Sequence, residues 1–164
     1  MIVSFMGCGN SNKKSNKTMR VGVVTYTADD PFINAMIEKV KSQLKTMETT
    51  NMNVIVSVRS GDNDQREQDE IVDEMIDAGC DVLCVNLVDR TAPANIIKSA
   101  RQSDIPVIFF NREPVRDDLM QWEKLYYVGC DAKESGDMQG EIAASYIKKH
   151  SKVDRNGEDR KSVV

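Results

Sequence analysis

The chain is poor in the residues that most metal and nucleophile chemistry needs. It holds one histidine, His150, set in the charged run KKHSK. A histidine-rich metal site is thereby excluded, and that charged setting argues against a histidine-based triad built from these residues. Its four cysteines, Cys8, Cys80, Cys84 and Cys130, include no C-x-x-C pair, so neither a zinc site nor a redox motif is indicated. Cys80 and Cys84 read as lying in one strand about 13 Å apart, beyond disulfide reach, and as small buried hydrophobes. No apolar run reaches the length of a membrane span. Positive charge is not in excess: the formal net charge is −4 over 164 residues, which offers no nucleic-acid-binding face. Neither a G-x-G-x-x-G loop nor a Walker loop occurs, so a nucleotide-phosphate cradle has no support.

What remains is an ordinary globular composition, 40% apolar and 29% charged, long enough for one domain with a sizeable core. Residues 9–18 (GNSNKKSNKT) read as a polar linker, with order beginning near Arg20. Val21, Val23 and Val24 mark a buried strand. A helix is predicted from about Pro31 to Met47, with Ile33, Met36, Ile37, Val40, Leu44 and Met47 on one face. NVIVSVR (53–59) is the second strand. GDNDQ then opens a helix whose inner face is Ile71, Val72, Met75 and Ile76, and which Gly79 stops. CDVLCVNL is the third strand, and a helix from near Thr91 carries Ile96, Ile97 and Ala100. IPVIFFN and LYYVGCD are the fourth and fifth strands. Asp131 and Glu134 form a capping box for a last helix, whose inward face is Ile142, Ala143, Tyr146 and Ile147. The repeated βα order predicts an α/β fold: a doubly wound parallel sheet with helices on both faces and ligands at the carboxyl ends of the strands.

Those strand ends carry Asp30, Phe32, Asp62, Asn63, Asn86, Asp89, Asn111, Arg112 and Glu113. Planar acceptors and donors beside one ring suit a hydroxyl-covered ligand with an apolar C–H face. Each residue also has a structural alternative. Asp29 or Asp30 can cap the helix that starts at Pro31, with Asp29 the better candidate. Phe32 can be a first-turn core residue, and Asn86 and Asn111 can serve loop backbone. Together, a Phe, an Asp and an Asn at the ends of one sheet favour a ligand site.

VGVVTYTADDPF, VNLVDRTAPANIIKSAR, IPVIFFNREP and YYVGCDAKESGDMQGEIAA closely resemble the galactose/glucose-binding proteins, the substrate-binding components of bacterial ABC sugar importers. The resemblance runs from about Arg20 to Ser162. It implies the periplasmic-binding-protein type I fold: two α/β lobes joined by a hinge, closing on a sugar in the cleft. It further implies that Asp30 takes sugar hydroxyls, that Phe32 stacks on the sugar ring, and that Asn111 is the cleft amide of the first lobe. On this reading residues 20–130 are the N-terminal sugar-binding lobe. Residues 131–164 are the opening helix and loop of a second lobe that is incomplete here, leaving an exposed apolar stripe on that helix. Residues 1–19 are a leader and tether: SFMGCGN resembles a bacterial lipoprotein signal, with Cys8 the lipidated residue, although Phe5 stands where the pattern usually has Leu. Calcium sites of the family match DRNGEDRKS, where Asp154, Asn156 and Glu158 take alternate ligand positions. Asp159 and Lys161 depart from that pattern. They favour a plain charged loop in this chain, with calcium reserved for the full-length protein.

The expected function is capture of galactose, glucose or a methyl galactoside by lobe closure, for delivery to a membrane permease. The expected place is outside the cytoplasm, with membrane contact only through the lipid. The alternative is the ligand-sensing domain of a sugar-responsive receptor or regulator, with a chemoreceptor as a further partner. A repressor would begin with a helix-turn-helix, which the first eighteen residues cannot form. An enzyme ranks last, because Asp30 has no partner base.

Overall fold

The computed structural model describes residues 17–150. The elements are β1 (Lys17–Thr25), α1 (Pro31–Thr46), β2 (Met52–Ser60), α2 (Gln65–Asp77) and β3 (Val82–Val85), then α3 (Ala94–Gln102), β4 (Val107–Phe110), α4 (Arg116–Leu119), β5 (Leu125–Val128) and α5 (Ala132–His150). The five strands form one parallel sheet in the order β2-β1-β3-β4-β5. The chain divides after Gly129: the sheet and its helices form one unit, and α5 belongs to the next.

Period-two alternation sorts the strand residues onto two faces. Val21 and Val23 of β1 pack with Ile33 and Ile37 of α1. Val24, Leu83, Val85, Val107 and Phe109 pack on the opposite face with Ile71, Val72 and Met75 of α2 and with Ile96, Ile97 and Ala100 of α3. The sheet is therefore covered on both faces, as predicted. Each fully buried Leu or Phe contributes about 1.5–3 kcal/mol of transfer free energy. Gly22 lets α2 approach β1: a Cβ there would stand 2.7 Å from Met75 Sδ and 2.9 Å from Leu83 Cδ2.

Gly79 ends α2 as expected. It takes φ +78°, its N–H donates to Ile76 O at 2.9 Å, and the Cys80 N–H donates to Met75 O at 3.1 Å. Those two bonds are the Schellman closure, which needs a residue in the left-handed region. Asp64 caps the same helix at its start, accepting from Arg66 N and Glu67 N.

The structure corrects several local readings. Lys17 and Thr18, assigned to the linker, are already in β1 and pair with Met52 and Asn53. Their partner strand is nine residues long, and a ready ladder outweighs turn-forming composition. Cys80 precedes β3 rather than lying in it, although it is buried as expected. The third helix begins at Ala94, three residues later than expected, with Pro93 at its N-cap position. The single-turn α4 was not anticipated.

In its own unit, Asp131 Oδ1 accepts from Lys133 N and Glu134 N, so it caps α5. Ile142, Tyr146 and Ile147 are exposed, the apolar stripe expected of this helix. Cys8, the leader and tether before Lys17, and the Asp154, Asn156 and Glu158 loop lie outside the described residues.

Candidate functional site

The strand order reverses direction beside β1: the chain runs outward to β2 and returns to β3 on the other side. In doubly wound sheets the ligand crevice opens at the carboxyl ends of the two strands that flank this switch. The corner after β1 carries Tyr26 to Phe32. The end of β3 carries Asn86 to Asp89, and the end of β4 carries Asn111 and Arg112.

Asp30 is the N-cap of α1, with extended backbone. Its Oδ1 accepts from Phe32 N at 2.8 Å and Ile33 N at 3.2 Å. The expectation that Asp29 would be the cap is therefore wrong. Pro31 takes the N1 position, so the residue immediately before it must be the cap. Asp30 Oδ2 accepts from the Tyr26 hydroxyl at 2.7 Å. An ionised carboxylate has roughly four lone-pair directions; these three donors leave one on Oδ2 for a ligand. The Tyr26 hydroxyl foremost, then the backbone N–H groups of Ile33 and Phe32 and the Arg112 charge, hold the Asp30 carboxyl below its ordinary value. The same hydrogen bond to Asp30, together with partial burial, raises Tyr26.

Phe32 is 63% exposed. It is not a first-turn core residue; that place in the core belongs to its neighbour Ile33. An exposed ring two residues after the cap is available to cover an apolar ligand face.

Asn111 is exposed and sits at φ +61°, in the left-handed region that Asn tolerates better than most residues. Its Oδ1 accepts from Asn86 Nδ2 at 3.4 Å, a long bond that leaves the Asn111 amide N–H groups for a ligand. Asn86 is fully buried, and its Oδ1 has no hydrogen-bond partner among the described residues.

Arg112 ties these corners together. Its guanidinium lies 3.7 Å from the centroid of the Tyr26 ring, and its Nη1 donates to Val88 O at 3.0 Å and Leu87 O at 3.3 Å. One side chain thus spans from the end of β4 across the end of β3 to the corner after β1. Beneath it, Gln68 of α2 is fully buried. Its Nε2 donates to Asn86 O at 2.9 Å and Thr25 O at 3.3 Å, and its Oε1 accepts from Val88 N at 3.0 Å.

The remaining candidates serve the loops themselves. Asp62 and Asn63 occupy left-handed turn positions. Asp89 accepts from the Thr91 backbone N–H and hydroxyl, which lower its carboxyl. Glu113 contributes its backbone carbonyl to Arg90. Sequence reasoning missed Tyr26 and Gln68. Gln68 had a readable signal, because it continues the α2 inner stripe of residues 71, 72 and 75 one turn earlier, as a polar residue on an apolar face.

The exposed surface of the site offers a carboxylate acceptor, an amide donor and a ring, which together match a hydroxyl-bearing ligand with a C–H face.

Residues 21–158 match the family described as periplasmic binding protein domain. A D-galactose/methyl-galactoside binding periplasmic protein of Haemophilus influenzae is 33% identical over 163 residues, covering 99% of this chain and 48% of that protein. Among solved structures, the fructose binding periplasmic domain of a hybrid two-component system aligns at 28% identity with TM-score 0.63, covering 79% of this chain and 40% of that one. An ABC transporter solute binding protein from Clostridium phytofermentans with bound β-D-glucose has the same fold, at TM-score 0.66 and 23% identity, covering 80% of this chain and 38% of that one. The chain spans about half the length of the curated relative.

Proposed function

The chain belongs to the periplasmic binding protein domain family, a family of ligand-binding rather than catalytic proteins, and from that premise we propose that it captures a galactose- or glucose-type hexose for an ABC importer. The observation that carries this reading is the pairing, at one corner, of the braced Asp30 carboxylate with the exposed Phe32 ring. Asp30 takes sugar hydroxyls through its remaining Oδ2 lone pair, Phe32 covers the C–H face, and Asn111 donates from the end of β4. The galactoside-binding relative supports the choice of hexose. Closure of two lobes, docking on a permease, lipidation of Cys8 and calcium at Asp154, Asn156 and Glu158 belong to the same reading for the full-length protein. The family's location is extracytoplasmic. The fructose-binding neighbour belongs to a hybrid two-component system, and this favours a sensing domain as the second reading.

The described site is an open surface: Phe32 and Asn111 are both exposed. A pocket for a small ligand normally buries 70–90% of it, so residues 1–164 alone bind hexose weakly. Galactose or glucose added to isotope-labelled chain is expected to move the NMR signals of Asp30, Phe32 and Asn111, and Phe32→Ala is expected to abolish the response. Shifts confined to other residues, or none, would overturn the sugar reading. Micromolar heats in calorimetry would overturn the statement that this surface binds weakly on its own.

A further inference from the structure

The hydrogen bonds around Asp30 separate into two jobs. Oδ1 is consumed by the helix cap, through Phe32 N and Ile33 N, and any good N-cap residue performs that task. Oδ2 is the oxygen a ligand can reach, and its protein donor is the Tyr26 hydroxyl at 2.7 Å. Tyr26 is half-buried, and its ring lies 3.7 Å beneath the Arg112 guanidinium. Two backbone carbonyls at the end of β3 hold Arg112 in turn. The ring is therefore clamped from a different strand than the one that carries it, and the hydroxyl cannot swing away from Oδ2 without breaking the stack.

We propose that Tyr26 is a positioning residue for the ligand-contacting Asp30, and that Arg112 is the brace that holds Tyr26 in place; this rests on the sugar-binding reading above. One lone pair of Oδ2 is already taken by Tyr26, so the remaining one has a set direction, and the ligand hydroxyl meets a carboxylate that cannot rotate. Arg112 suits the bracing task because a planar guanidinium has a flat face to lay on a ring while its Nη1 donates to two carbonyls, and an ammonium has no such face. The titratable and charged groups around the Asp30 carboxyl are Tyr26 from the β1 corner, Arg112 from the end of β4, and its chain neighbour Asp29. The hydrogen bond from Tyr26 is the largest influence holding Asp30 below its ordinary value. Removing it must therefore raise the midpoint at which Asp30 titrates.

The test is carboxyl-carbon NMR of the 164-residue chain across acidic pH, in wild type, Tyr26→Phe and Arg112→Lys, followed by titration of each with D-galactose and D-glucose. Tyr26→Phe keeps the ring and loses only the hydroxyl. Its Asp30 midpoint is expected to rise while the Phe32 and Ile33 amide signals, which report the cap, stay in place. Its sugar response is expected to weaken about tenfold, the scale of one charge-assisted hydrogen bond. Arg112→Lys is expected to give a smaller change of the same sign in both measurements. An unchanged Asp30 midpoint in Tyr26→Phe overturns the proposal, and so does a raised midpoint with an unaltered sugar response. A wild-type chain that responds to neither sugar removes the sugar-binding reading itself, and this proposal falls with it.

Discussion

Gln68→Met is the substitution whose cost the structure specifies most fully. Methionine has nearly the length and volume of glutamine and leaves no cavity, but it can neither donate nor accept in the manner of an amide. Gln68 is fully buried and bonds to Asn86 O, Thr25 O and Val88 N. Thr25 O keeps a second donor, the Gly61 N–H at 2.9 Å, so its loss is small. Asn86 O and Val88 N lose the partner that Gln68 supplies. A buried backbone group left without its partner costs about 1–3 kcal/mol, and Val88 is only half-buried, so the two together come to about 2–4 kcal/mol. That is a large part of the 5–15 kcal/mol typical of a domain. With a urea m-value of roughly 2 kcal/mol/M, the unfolding midpoint should fall by about 1–2 M at unchanged slope. Trp122, the only tryptophan and partly buried against the core, reports the transition by fluorescence. Hydrogen exchange at the Val88 amide should quicken more than exchange at amides in α1. A midpoint shift below about 0.3 M would refute the claim that Gln68 holds the end of β3.

Gly22→Ala should destabilise the sheet unit by about 1–3 kcal/mol through overpacking, since its Cβ would press on Met75 and Leu83; thermal melts that match wild type would show that α2 yields freely. Burial pushes the Cys84 thiol up to about 11, so at pH 8 roughly one in a thousand is thiolate. Cys130 is exposed, and iodoacetamide followed by peptide mass spectrometry should find it alkylated well before Cys84, with the reverse order counting against the burial of Cys84.

The β1 corner illustrates both the reach and the failure of local reasoning. VGVVT reads as a buried strand from its β-branched run, and Pro31 reads as the first residue of a helix, because both signals are short-range. Which carboxylate caps that helix also proved a local matter, settled by Pro31 at N1, yet the two acids side by side obscured it. Tyr26 was passed over for a different reason. A tyrosine at a strand end carries no pattern, and its role exists only because Arg112, eighty-six residues later, folds back over its ring.

By itself the sequence determined the alternation of strands and helices, the stop at Gly79, the helix start at GDNDQ, the cap at Asp131, and the clustering of polar residues at strand ends. Each of these depends on neighbours within a few positions, through helical or strand periodicity and backbone hydrogen bonding. Only the tertiary structure decided that Lys17 and Thr18 pair with β2, that Gln68 is buried against the ends of β1 and β3, and that Asn86 lies against Asn111. Those facts depend on which strands become neighbours in the sheet, and that order is set by packing α1 on one face and α2 and α3 on the other, a choice no short stretch of chain encodes.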